Sequence, residues 1–285
     1  MRLSLTLILF VFTIYSFGQP VKVMSYNIRL DTEADGVNQW KNRTGKVFNL
    51  IKKNNPDLLG VQEAMHNQMM DLKSNLTDYD FVGVGRDDGK EKGEYSAIFY
   101  KKDKFDVLNQ KTFWLSETPE VPGSKSWDAA ITRVVTFVVL KNKLTGKSFA
   151  YFNTHFDHIG KEARMNSAKL IKIYIAGFNF GASLAGKYTN LPLLISGDFN
   201  SEPTDEPYQT MIDGKDVTLF DSRPAKNLTG TFCGFEVNAM TCKTIDYIFH
   251  SSHWQAKQYK VIQDHNKKYY PSDHLPVIST FILKK

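Results

Sequence analysis

The hydrophobic and polar positions divide the chain into short apolar runs, many of them closed by a polar residue. VKVMSY, Val21–Tyr26, reads as a first strand that ends at Asn27. Trp40–Asn54 instead carries Val47, Leu50 and Ile51 at helical spacing, and Asn54-Asn55-Pro56 stops it. Leu58–Gln62 predicts a short strand ending at Glu63, Ala64–Leu76 a helix, and Phe81–Val84 another strand. EYSAIFY, Glu94–Tyr100, alternates and is rich in aromatics, a strand pattern. Phe105–Leu115 and Thr132–Leu140 follow as strands joined by a Pro-containing loop, and Ser148–Thr154 runs into His155. Glu162–Phe178 places Ala168, Ile171, Ile175 and Phe178 on one helical face. Leu191–Ile195 is a continuous apolar run, the pattern of a buried strand, and Gly197 is expected to turn the chain sharply just before Asp198 and Asn200. A short helix near Glu206–Ile212 and strands at Thr244–His250, Ala256–Ile262 and Val277–Leu283 complete the series. Strands of both alternating and continuous apolar type, with helices between them, predict an α/β protein of two packed sheets with outer helices. No repeat or linker divides residues 19–285, which predicts one domain.

The first residues follow a different pattern. Arg2 precedes an almost uninterrupted apolar run, Leu3–Phe17, and Ser16 and Gly18 are small residues placed for a cut after Gly18. The run is short for a membrane span and the chain turns polar after it. The expectation is a cleaved signal peptide over residues 1–18, a secreted or periplasmic protein, and no stable membrane anchor. The composition is that of a globular chain: 285 residues, 42% hydrophobic and 23% charged. A net charge of +6 mildly favours anionic substrates, but the lysines form no dense run. Cys233 and Cys242 flank GFEVNAMT, a loop that a disulfide would staple in an oxidising compartment; two buried thiols are the alternative.

The polar residues that close the apolar runs are the candidate chemistry. They are Asn27, Glu63, His155 with Asp157 and His158 beyond it, Asp198 with Asn200, Asp246 early in a strand, and Asp273 with His274 before the last strand. Each alone is an ordinary turn or loop residue. Together they would make a cleft of carboxylates, amides and imidazoles if the strand ends converge. Oxygen donors of this kind suit a hard cation, with Glu63 the leading ligand and Asp273 and Asn27 next. There is no H-E-x-x-H, no Cys/His cluster, no G-x-S-x-G elbow and no G-x-x-x-x-G-K-[ST] loop, which disfavours a zinc site, that class of serine hydrolase and a P-loop enzyme. Attack of water on a phosphate ester, helped by a divalent ion and acid–base groups, remains.

MSYNIR, GVQE, GEYSAIFY, NTHFDH, SGDFN, TIDYIF and SDHLPV, in this order from Val21 to Leu283, resemble the endonuclease/exonuclease/phosphatase superfamily, the group of deoxyribonuclease I. The resemblance implies a four-layer α/β/β/α sandwich, two mixed sheets face to face with helices outside. It implies Mg²⁺, with Mn²⁺ or Ca²⁺ as alternatives, held at Glu63 with Asn27 and Asp273. It further implies His155 as a phosphate-contacting histidine oriented by Glu94, and Asp198 and Asn200 positioning water and phosphate. His274 would be the terminal catalytic histidine with Asp246 as its partner, and Arg133 a phosphate contact. His158 departs from the deoxyribonuclease pattern and points to a small or terminal phosphoester, with Asp157 and His158 near the substrate. A secreted nuclease is the alternative, and a non-catalytic binder on the same fold is a third reading. A monomer is expected. Trp40, Trp114, Trp127, Arg86 and Asp87 are substrate-loop candidates.

Overall fold

The computed structural model describes residues 19–180, 190–215, 217–238 and 241–284. The chain runs through β1 (Val21–Asn27), a 3-10 turn (Glu33–Asn38), α1 (Trp40–Asn54), β2 (Leu58–Ala64), α2 (His66–Asn75), β3 (Tyr79–Val82) and β4 (Tyr95–Lys101). It continues through β5 (Phe105–Trp114), β6 (Val134–Asn142), β7 (Ser148–His155), α3 (Lys161–Phe180), β8 (Leu193–Asp198) and α4 (Glu206–Ile212). β9 (Leu219–Asp221), β10 (Asp246–Ser251), β11 (Trp254–Val261) and β12 (Val277–Leu283) follow. Two six-stranded sheets result, ordered β11-β12-β1-β2-β4-β3 and β5-β6-β7-β8-β10-β9. Both are mixed: β1 and β2 are parallel, as are β7 and β8, and the other pairings are antiparallel.

Side-chain alternation builds the layers. Val21 and Val23 of β1 join Leu58, Val138, Leu194 and Ile248 in a core between the sheets. Met24 and Tyr26 point the other way, under α1 and α2, with Val47, Ile51 and Leu72. On the far side, Phe152, Ile195 and Phe249 pack under α3 and α4 with Ala168, Ile171, Ile175 and Met211. Strands buried on both faces read as the continuous apolar runs seen in the sequence. The expected four-layer sandwich is the observed one. The leader over residues 1–18 and the side chain of Phe178 lie outside the described residues.

The sheets meet closely beside the strand ends that carry the polar residues. Gln62 donates to Asn153 Oδ1 (2.6 Å), and the Asn153 amide donates to the carbonyls of Val61 and Ala97 (2.8 and 2.9 Å). A Cβ on Gly60 would lie 2.5 Å from both Asn153 Oδ1 and Ser196 Oγ, so only glycine permits this approach. Register then aligns the site: His155 of β7 faces Asp198 of β8, which faces Asp246 of β10. Gly197 is not the turn expected of it. It lies within β8 at φ +159°, where a side chain would run into the Thr154 carbonyl of β7, and the strand continues to Asp198. The second predicted helix starts at His66, because β2 runs on to Ala64. The 3-10 turn and the three-residue β9 carry no periodic signal long enough to read.

Candidate active site

Each polar strand end reaches the site by a local backbone device. β2 is bulged between Val61 and Ala64, and Glu63 takes φ +62°, which swings its carboxylate out of the pleat into the cleft. Asn200, at φ +45°, folds back so that its amide N–H meets Asp198 Oδ1 (2.9 Å). Asn27, the last residue of β1, is fully buried between both walls. The cleft encloses about 370 Å³ and is lined by Arg29, Glu63, Glu94, Arg133, His155, His158, Asp198, Asn200, Phe232, Asp273 and His274, among others. A larger cavity, about 850 Å³, opens at the opposite strand ends around Val21, Phe149, Pro192, Trp254 and Leu283, and brings no acid–base cluster with it.

Two imidazoles stand in opposite electrostatic settings. Burial opposes charge on His274, but the carboxylates of Asp246 and Asp198 more than offset it and hold the ring well above the ordinary histidine range. Its Nδ1 lies 2.9 Å from Asp246 Oδ2 and its Nε2 3.6 Å from Asp198 Oδ2. His155 is pushed well below that range by burial and by the charges of Arg133 and Arg86. The Asn200 amide nitrogen also bonds the Phe156 carbonyl (3.0 Å), so it is the donor toward His155 Nε2 at 3.1 Å, and the neutral ring carries its proton on Nδ1. Asp198, between them, is raised to about 7 by burial and by the Asp246 charge. Burial would raise Glu63 as well, but His274, the Asn27 bond and Arg29 bring it below the usual carboxylate range.

The donor set fits a hard cation. Single ligand atoms of Glu63, His155 and Asp198 lie within 4.8 Å of one another, as do those of Asp198, Asp246 and His274. Asp246 Oδ1 is buried without a hydrogen-bond partner. Concentrated buried carboxylates of this kind are costly unless a cation offsets them.

Several expected roles change once the side chains are placed. Asn27 does not present an oxygen to Glu63. Its Nδ2 faces the acceptors Glu63 Oε1 (2.9 Å) and Asp198 Oδ2 (3.0 Å), while its Oδ1 accepts the Arg29 amide (3.0 Å). Through its amide nitrogen Asn27 bridges the two carboxylates. Glu94 does not orient His155: its two oxygens pair with Arg86 at 2.6 and 2.8 Å, and His155 Nδ1 is left open. Asp157 lies beneath the cleft, 1% exposed, and accepts four backbone amides, from Ala130, Ile131, Ile159 and Gly160. It shapes the loop that presents His158 rather than meeting substrate. Arg133 is 4% exposed; it reaches His158 Nδ1 (3.1 Å), its Nε ion-pairs with Asp157 (3.7 Å), and its Nη1 has no hydrogen-bond partner. Asp273 lies at the rim, 3.9 Å from Arg29, whose guanidinium also approaches Glu63 (3.8 Å) and pairs with Asp35. Arg29 and Phe232 went unrecognised in the sequence because neither closes an apolar run. Trp40 and Trp114 are core residues bonded to Asp71 and to the Arg86 carbonyl, and Trp127 does not line the cleft.

The sequence profile of the Endonuclease/Exonuclease/phosphatase family matches residues 24–274. The chain belongs to that family. A family protein of Bacteroides thetaiotaomicron superposes with a TM-score of 0.86 at 37% identity, covering 94% of this chain and 99% of that one. A mannosyl-6-phosphatase of the same bacterium is 38% identical, with a TM-score of 0.85 and coverage of 92% and 100%. Among curated relatives, the CCR4-Not complex 3'-5'-exoribonuclease subunit of Mycosarcoma maydis is 24% identical over 94% of this chain but only 51% of its own length. Membership of the Endonuclease/Exonuclease/phosphatase family makes this chain a metal-dependent hydrolase of phosphate esters, and the cleft described above carries the matching chemistry.

Proposed function

We propose that the protein is an exported, monomeric, Mg²⁺-dependent phosphoesterase that acts on a small or terminal phosphoester such as a sugar phosphate. The observation that carries this reading is the cleft itself. It is a pocket of about 370 Å³ with a carboxylate wall, an opposite wall where the Arg133 cation meets the His158 imidazole, and two oppositely tuned histidines. That volume suits a small ligand. The 38% identity to a mannosyl-6-phosphatase supports the same substrate class. The leader pattern and the Cys233–Cys242 disulfide support export.

In the proposed reaction Glu63, with Asp198 and Asp273 near it, would hold the cation, whose charge would offset that of the phosphoryl oxygens. Asp198, oriented by the amide of Asn200 and the side chain of Asn27, takes a proton from the attacking water. His274, kept protonated by Asp246, faces the charge that grows on the equatorial oxygens. Arg133, whose Nη1 has no hydrogen-bond partner, and His158 receive the phosphate from the other side. The ester P–O bond breaks as the oxygen of water bonds to phosphorus, and the leaving oxygen takes a proton from His155, whose neutral ring is held by Asn200, or from water.

A substrate panel with Mg²⁺, Mn²⁺ or Ca²⁺ tests this reading: sugar and inositol phosphates, p-nitrophenyl phosphate, bis-p-nitrophenyl phosphate, RNA and plasmid DNA. Hydrolysis of sugar phosphates with intact plasmid is the expected result, and plasmid nicking without it would sink the proposal. His274→Ala and Asp198→Ala are each expected to lower kcat by about 10²–10⁴. The intact mass of the exported chain reports the cut after Gly18, and its sedimentation mass reports the monomer.

A further inference from the structure

Asp246 and His274 form the most tightly bonded acid–base pair of the cleft, yet they arrive on different segments. Asp246 opens β10, and His274 stands in the loop before β12. One short segment, Thr231–Cys233, is bonded to both. Thr231 Oγ1 accepts the amides of Ile245 and Asp246, each at 3.1 Å. Phe232 exchanges two backbone bonds with Lys243, both 2.9 Å. On its other side the Cys233 amide donates to the Asp273 carbonyl (3.1 Å), and the Leu275 amide donates to the Thr231 carbonyl (2.6 Å). Phe232 is thus bridged in antiparallel fashion to both Lys243 and His274. Its ring lies 4.8 Å from the His274 imidazole at 46°, 36% exposed, and lines the cleft.

This segment is one arm of the hairpin closed by Cys233–Cys242, with Cα atoms 4.3 Å apart. The arms are pressed together: a side chain on Gly230 would run into Cys242. The segment makes only isolated bridges and belongs to neither sheet, so the ladders that fix His155 and Asp198 do not fix it.

We propose that the cross-linked hairpin is a positioning device for His274: the disulfide keeps Thr231–Cys233 strung between Asp246 and His274, and the Phe232 ring packs against the imidazole. The inference rests on the phosphoester-hydrolysing reading of the cleft for its kinetic arm only. Activity of this site therefore depends on the oxidised state of two cysteines that touch no reacting atom.

The test compares the full oxidised chain with Mg²⁺, the same protein after tris(2-carboxyethyl)phosphine has converted the disulfide to two thiols, and the Cys233→Ser/Cys242→Ser double variant. Two quantities are read: the kcat–KM split, and the His274 Nδ1–H resonance, identified by its absence in His274→Ala. Opening the cross-link is expected to lower kcat about 10- to 100-fold, the scale of a small misplacement of a reacting group, with KM changed less than twofold. The Nδ1–H resonance should broaden or vanish, and reoxidation should restore both. Phe232→Ala in the oxidised chain should do the same. A folded, reduced protein with unchanged kcat and resonance overturns the proposal. If opening the bridge unfolds the chain, an unchanged Phe232→Ala protein overturns it equally. Lack of hydrolysis by the oxidised wild type would remove the functional reading, while the resonance would still decide the strap.

Discussion

Single residues at this site act through the polarity of the atom they present. Asn27 shows this: its amide nitrogen meets two carboxylates while its oxygen accepts a backbone N–H. Glu63 is the carboxylate whose charge the site most favours. Glu63→Gln is therefore expected to raise the Mg²⁺ concentration for half-maximal activity by about 10- to 100-fold, read from a metal titration of initial rate. Asp157 contributes stability rather than chemistry. Burial would raise its carboxyl, but four backbone N–H donors outweigh burial and lower it. A carboxyl lowered by folding stabilises the protein fully above its unfolded value, near 3.9, and that stability is lost as pH falls through the folded value. Asp157→Asn should cost about 1–3 kcal/mol in urea unfolding at pH 7. The difference from wild type should shrink below about pH 4, where the wild-type carboxyl is protonated; a constant gap from pH 7 to 3 would refute this account. That a strand-end Asp supports a loop and not the substrate could not be read from NTHFDH, because an acceptor-only side chain is written the same way for either partner.

At the scale of elements, two sheets must meet at the right height for the walls to share one phosphate. The register of β7, β8 and β10 places His155, Asp198 and Asp246 in a row, and the Gln62–Asn153 bond ties that row to the sheet that carries Glu63. Gly60 permits this closeness. Gly60→Ala is expected to overpack the contact and cost about 1–3 kcal/mol, read as a lower urea midpoint, and to lower kcat by displacing Glu63 from Asp198. Gly197 was legible as a special position, but its reason lay across the sheet: β8 stays extended and the glycine makes room for the Thr154 carbonyl. Strand and helix positions were legible because apolar periods of two and 3.6 set them. Their ends were less so, since a bulge such as that at Glu63 is made by pairing with β4 and not by local sequence.

For the whole molecule, folding gathers carboxylates that repel one another unless a cation joins them. Mg²⁺ that binds only the folded state should stabilise the chain, by about 2.7 kcal/mol at 100 times its Kd. Chelation should abolish hydrolysis and remove that increment from the urea midpoint; a midpoint indifferent to Mg²⁺ would argue against a metal at this cleft. The sequence by itself determined the layer architecture, because apolar strands closed on two faces and one amphipathic helical face leave few ways to bury their surface. It also marked most of the residues that line the cleft, because polar groups that end buried strands must collect where those strands end. Only the tertiary structure decided what each of them does. Whether Asn27 meets a carboxylate through its nitrogen, whether Glu94 meets His155 or Arg86, and whether Cys233 and Cys242 bridge are settled by partners 8 to 171 residues away, brought within bonding distance by the fold. The physical reason is that a polar side chain takes its role from the atom it faces, and facing is a property of the folded chain.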